Sequence, residues 1–146
     1  MPKEKAEKPK VVLDSNVLIS AVMFGGKPRE ILDLAIKGLI EVAISDDILE
    51  EIKGVLKGGK FQFPEKIAHF LLSEIGELAE LVEPEQKIEA VLADPEDNRV
   101  LECAVAAGAS IIVSGDSHLL ALQSFGKIKI MNPDAFLRRH RKTLKR

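Results

Sequence analysis

The sequence holds one cysteine, Cys103, and neither tryptophan nor tyrosine. A lone cysteine excludes an internal disulfide and supplies no cysteine cluster for zinc. Six phenylalanines make up the whole Phe/Trp/Tyr complement, and most are expected in a core. No run of about 18 or more apolar residues occurs, so no membrane-spanning helix is expected. The opening stretch, MPKEKAEKPK, lacks the apolar segment of a secretory signal. The expected compartment is the cytoplasm. Neither an internal repeat nor a long linker is visible.

What is present fits a single domain. With 146 residues, 46% hydrophobic and 30% charged, the chain is long enough to bury a sizeable core under a charge-rich surface. The formal charge of −2 is unevenly spread. Residues 138–146 carry six Lys/Arg and no acid, and residues 1–10 carry four Lys and two Glu. The middle, 11–137, is therefore strongly acidic. The division expected is a disordered basic tail over 1–9, a domain over 10–137 and a basic tail over 138–146. An acidic body with basic ends suits a cation site beside a polyanion, although solvated ends explain the tails equally well.

Apolar, β-branched runs predict strands at 10–14, 40–44 and 110–114, with others at 80–83 and 127–131. Cap signals predict the helices between them. One starts near Pro28 and stops at Gly38, and one follows Ser45 to about Leu56. Pro64 opens a helix over 64–79, Asp94-Pro95 opens one that ends at Gly108, and Asn132-Pro133 starts the last. Strands alternating with helices predict an α/β fold with a parallel sheet covered on both faces.

Four acids stand out in this frame. Asp14 and Asp116 lie at or just past the carboxyl ends of predicted strands, where such sheets bind ligands. At about 100° per residue, Glu51 falls at the edge of the apolar arc of its helix and Asp97 on the inward face of its own. Glu50 and Glu102 are expected to face solvent. Carboxylates facing a core are costly unless something pairs with them, and a divalent cation does so. A carboxylate cluster holding Mg²⁺ or Mn²⁺ suits phosphodiester hydrolysis, because the cation activates water and offsets charge on phosphate. Ser15, Asn16 and Ser114 are placed to hydrogen-bond the carboxylates. Each acid also has a plainer reading. Asp94 and Asp97 suit a helix N-terminus, Glu51 suits an exposed boundary, and Asp14 and Asp116 suit turns.

The segments VVLDSN, Ser45 followed by Glu51, DPEDNRVLECAVAAGASIIVSGD and then HLL resemble the PIN domain family, over about residues 11–136. The resemblance is nearest to the VapC-like branch, toxins of toxin–antitoxin pairs. It implies a three-layer α/β/α sandwich around a parallel sheet of about five strands, and a metal-dependent ribonuclease acting on single-stranded RNA. The family's four acids map onto Asp14, Glu51, Asp97 and Asp116, with Asp94 as an additional acid. Asp14, Asp97 and Asp116 are the expected metal ligands, and Glu51 completes the site. One departure is His118, which stands where the branch often has an acid; a surface histidine in a first helical turn is the plainer reading.

Expected RNA contacts are Lys27, Arg29, Lys57, Lys60 and Arg138, with Phe24, Phe61 and Phe63 open to base stacking. Ile67, Phe70, Leu71, Ile75 and Leu78 recur at helical spacing and are expected in the core. The resemblance suggests instead that this surface takes a second copy or an antitoxin. Two other readings stay open: a noncatalytic RNA-binding or scaffold protein of the same fold, and a phosphatase with Asp14 as nucleophile. The second lacks the Asp expected where Asn16 stands.

Overall fold

A computed structural model describes residues 8–58 and 64–144, with side chains to residue 140. Chain order is β1 (Lys10–Leu13), α1 (Ser15–Met23), α2 (Gly26–Ile36), β2 (Glu41–Ser45), α3 (Asp46–Gly58), α4 (Glu65–Leu78) and β3 (Glu80–Val82). Then come α5 (Pro95–Ala107), β4 (Ile111–Val113), α6 (Ser117–Leu122), β5 (Ser124–Phe125), β6 (Ile128–Met131) and α7 (Pro133–Leu144).

The six strands form one sheet in the order β3-β2-β1-β4-β6-β5. Every pairing is parallel except the short β5–β6 edge. Successive strand residues point to opposite faces, yet Val11, Val12 and Leu13 are all 0% exposed. Helices therefore cover the sheet on both sides, giving the α/β/α layers. The sixth strand is the two-residue β5, too short to leave a period in the sequence.

Caps set most boundaries as expected. Ser45 Oγ accepts from the Ile48 amide at 3.3 Å and starts α3. Asp94 caps α5, Pro95 follows at its first position, and Gly108 ends it with φ of 67°, a backbone region open to glycine. Residues 15–23, to which the pattern assigns no element, form α1. Val17, Ile19 and Val22 are β-branched and mediocre helix formers, but Asp14 caps the helix and the core buries Val17, Leu18, Ile19 and Ala21.

Three expectations need correction. Ile67 and Phe70 are 46% and 59% exposed, while Ile75 is buried. Helix α4 packs on α3 and the edge strand β3, so only part of its apolar stripe is covered. Glu102 does not face solvent: it is 5% exposed, because the segment between β3 and α5 folds over that side of α5. Lastly, the basic stretch from Arg138 continues α7 as far as Leu144. Lys60, Phe61, Phe63 and residues 1–7 lie outside the described residues.

Candidate active site

Strands β2 and β3 lie to one side of β1, and β4 and β6 to the other. The strand order thus reverses between β1 and β4, and a crevice opens at the carboxyl ends of such a pair. Asp14 directly follows β1, and Ser114 directly follows β4.

Asp14 is 5% exposed and well supplied with donors. Its Oδ2 accepts from Ser114 Oγ at 2.6 Å. Its Oδ1 accepts from Ser15 Oγ and from the Asn16 backbone N–H, both at 3.4 Å. Asn16 thus reaches Asp14 through its backbone, and the residue is exposed. Ser114 Oγ also accepts from the Asp116 amide at 2.9 Å, so one hydroxyl ties both acids together. Asp116 caps α6, accepting from the His118 amide at 2.8 Å.

Asp97 comes from the first turn of α5 and is 7% exposed. Its Oδ2 is buried with no hydrogen-bond partner among the described residues. Burial first, then the Asp116 carboxylate, with Asp94 and Asp14 adding to it, pushes its carboxyl up to about 7. Such a position is expensive for an anion without a counter-charge. Glu51, half-buried on α3, is raised in the same direction by burial and then by Asp14, while Ser15 opposes the shift by hydrogen-bonding it. Asp94 contributes to both shifts while its own Oδ1 caps α5 through the Glu96 amide at 3.1 Å. The cap and the active-site reading of Asp94 therefore coexist.

The four expected acids come from the end of β1, α3, α5 and the turn after β4; Glu51 feels the charge of Asp14, and Asp97 that of Asp116 and Asp14. One ligand atom each from Asp97, Asp116 and His118 lie within 4.8 Å of one another. His118 is 51% exposed, with Nδ1 at 3.6 Å from Asp116 Oδ1. It is both the surface residue expected and one within reach of the acids. Asp14 falls outside that tightest group.

The expected RNA contacts are scattered. Lys27 pairs with Asp134 at 3.0 Å, Arg29 with Asp33 at 3.1 Å, and Arg138 with Asp134 at 3.0 Å. Lys57 is exposed at the end of α3. Phe24 is 68% exposed just after α1. None of these lines the open cavity beside Glu51, whose walls are Asp47, Glu50, Glu51, Glu96 and Arg99.

Asn98 and Arg99, which the sequence did not single out, and Glu102, expected to face solvent, follow Asp97 on α5. Asn98 makes paired 2.8 Å bonds, Oδ1 with the Val91 amide and Nδ2 with the Val91 carbonyl. Glu102 Oε2 accepts from the Ile88 amide at 2.9 Å and from Arg99 Nη2 at 2.8 Å. These contacts fasten the segment before α5 onto the helix that carries Asp97. The available signal was the pair Ile88 and Val91, apolar residues three apart in a segment with no regular element, both of which are buried while Leu92 is exposed.

A family profile described as PIN domain matches residues 10–118. An uncharacterized protein of Methanocaldococcus jannaschii is 33% identical over 137 residues, covering 90% of this chain and 87% of that protein. Among solved structures, VapBC2 from Rickettsia felis, bound to a promoter DNA fragment, is similar with a TM-score of 0.60 and 15% identity. That likeness covers 84% of this chain and 98% of that one. VapBC-1 from nontypeable Haemophilus influenzae has a TM-score of 0.60 at 10% identity, covering 86% and 98%. These two likenesses speak to fold alone.

Proposed function

The chain belongs to the PIN domain family, and from that premise we propose that it is a metal-dependent endoribonuclease acting on single-stranded RNA. The observation that carries the reading is Asp97 Oδ2, a buried carboxylate oxygen with no hydrogen-bond donor among the described residues, beside Asp116 and within the field of Asp14. An all-oxygen set with one orphaned atom fits a hard divalent cation such as Mg²⁺ or Mn²⁺. Asp14, Asp97 and Asp116 would hold it, with His118 in reach. When bound, the cation lowers the pKa of water and offsets charge growing on phosphate.

The chain's own groups do the rest. Ser114 and Ser15 orient the Asp14 carboxylate. Glu51, its proton affinity raised by burial, suits the task of taking a proton from the attacking water. The water oxygen bonds to phosphorus in line, and the bond from phosphorus to the ribose 3′-oxygen breaks. Asp94 and Glu96 add negative potential that keeps the pocket attractive to cations.

In the cell we propose the role of toxin in a toxin–antitoxin pair, acting in the cytoplasm; the likeness to VapBC structures supports the pairing. No described helix is long and apolar enough to cross a membrane. A cavity of about 370 Å³ between α2 and α4, lined by apolar residues such as Leu32, Ile36 and Phe70 together with Arg29, Glu74 and Glu77, suits an antitoxin segment or a second copy. Co-expression with an adjacent small open reading frame, followed by size measurement, separates the two.

Cleavage is tested with purified protein, Mg²⁺ or Mn²⁺ and a panel of single-stranded RNAs. Cleavage that vanishes with chelator and in Asp14→Asn is expected. Folded, metal-supplied protein that cuts none of the RNAs would sink the nuclease reading and leave a noncatalytic RNA-binding protein.

A further inference from the structure

Arg99 lies on α5 two residues beyond Asp97. It lines the open cavity of about 350 Å³ whose other walls are Asp47, Glu50, Glu51 and Glu96. Among the described residues it is the single cation of that wall. The side chain is 21% exposed, so it is largely enclosed yet still reaches the opening. Nη2 is held at 2.8 Å by Glu102 Oε2, an oxygen itself anchored by the Ile88 amide. Nε is buried without a partner among the described residues.

A guanidinium has five N–H donors, and neutralising Glu102 occupies one of them. The fork is therefore fixed at one end with capacity to spare. A polyanion approaching a carboxylate cluster meets repulsion that a nearby cation must offset. Lys27, Arg29 and Arg138 are held in ion pairs with Asp134 and Asp33 and do not line this cavity. A planar, preorganised fork is the side chain best matched to phosphate oxygens.

We infer that Arg99 contacts a phosphate of the bound RNA strand beside the carboxylate cluster, with Glu102 as the residue that positions it. The inference rests on the ribonuclease reading. Four acids on the same wall would also suit the amino edge of a base, and the two contacts have different signatures. A phosphate contact adds to the salt dependence of binding, whereas a base contact alters sequence preference.

The test compares wild type, Arg99→Gln and Arg99→Lys as full chains with Mn²⁺. KM and kcat are read for single-stranded oligonucleotides that differ in base composition. Binding is followed by fluorescence anisotropy over a salt series, in an Asp14→Asn background that does not cleave. Arg99→Gln is expected to raise KM about tenfold and to shrink the slope of log K against log salt by about 0.7. Arg99→Lys restores the slope but only part of KM. Thermal melts identify a variant that fails to fold; if Arg99→Gln does, Arg99→Gln/Glu102→Gln, which removes the unpaired buried charge, takes its place. Unchanged KM and slope overturn the inference, as does a changed base preference at constant slope. Wild type that neither binds nor cuts RNA sinks the nuclease reading instead.

Discussion

Ser114 Oγ sits 2.6 Å from Asp14 Oδ2, joining residues 100 positions apart. The register explains it: Leu13 pairs with Val113 across parallel β1 and β4, so the next residue of each chain segment emerges at the same rim. Both side chains are buried, and a short hydroxyl–carboxylate bond there is worth more than one in water.

Ser114→Ala removes that donor and leaves one oxygen of a buried carboxylate unsatisfied. A stability loss of about 1–3 kcal/mol is expected, read as a lower denaturation midpoint at unchanged m-value. Cleavage should fall as well, because Asp14 and Asp116 both lose their shared anchor.

Asp97 carries a clear pH signature. Its carboxyl ordinarily titrates near 3.8 but is pushed up to about 7 by burial and by Asp116. The folded state then holds a proton that the unfolded chain has released, so this contribution is full below about 3.8 and lost as pH rises through about 7. In chelator, Asp97→Asn should therefore gain melting temperature relative to wild type between pH 5 and pH 8. A gap that stays constant with pH would contradict the burial of this acid.

Metal should reverse the same balance. Mn²⁺ competes with the proton on Asp97, so it should raise the wild-type melting temperature more at pH 8 than at pH 5.5. Asp97→Asn should lose most of that gain. Titration calorimetry at the two pH values gives an independent reading.

Asn98→Ala strips both backbone groups of Val91 of their partners. Roughly 2–4 kcal/mol of destabilisation is expected from two buried hydrogen bonds. Amide exchange should rise first between residues 83 and 94. Cleavage should also weaken, since the same segment braces the turn that carries Asp97.

Cys103 is fully buried on α5, and its thiol is pushed up to about 12, chiefly by burial. The thiolate is the reactive form. Native protein at pH 8 should resist alkylation and react only once denatured; prompt labelling of the native state would show that α5 opens.

Local signals sufficed where chemistry acts over a few residues. Ser45, Asp94-Pro95 and Gly108 announce helix ends because capping is a short-range contact. The β-branched runs at 11–13 and 111–113 announce central strands because both faces are buried. The positions of Asp14 and Asp116 follow from those strands, and Glu51 and Asp97 follow from helical angle. Residues 15–23 escaped because their β-branched side chains are mediocre helix formers, and tertiary burial made them helix.

The sequence by itself determined the alternation of strands and helices and which carboxylates could not all sit comfortably in water. Tertiary structure decided their partnerships. Parallel register brought Ser114 to Asp14, the packing of α5 against the segment before it buried Glu102 and held Arg99 at the cavity that Glu51 also lines, and α4 at the sheet margin left Phe70 uncovered. Periodicity reports one face of one element; what covers the opposite face depends on chain segments far away in sequence, and no local pattern encodes it.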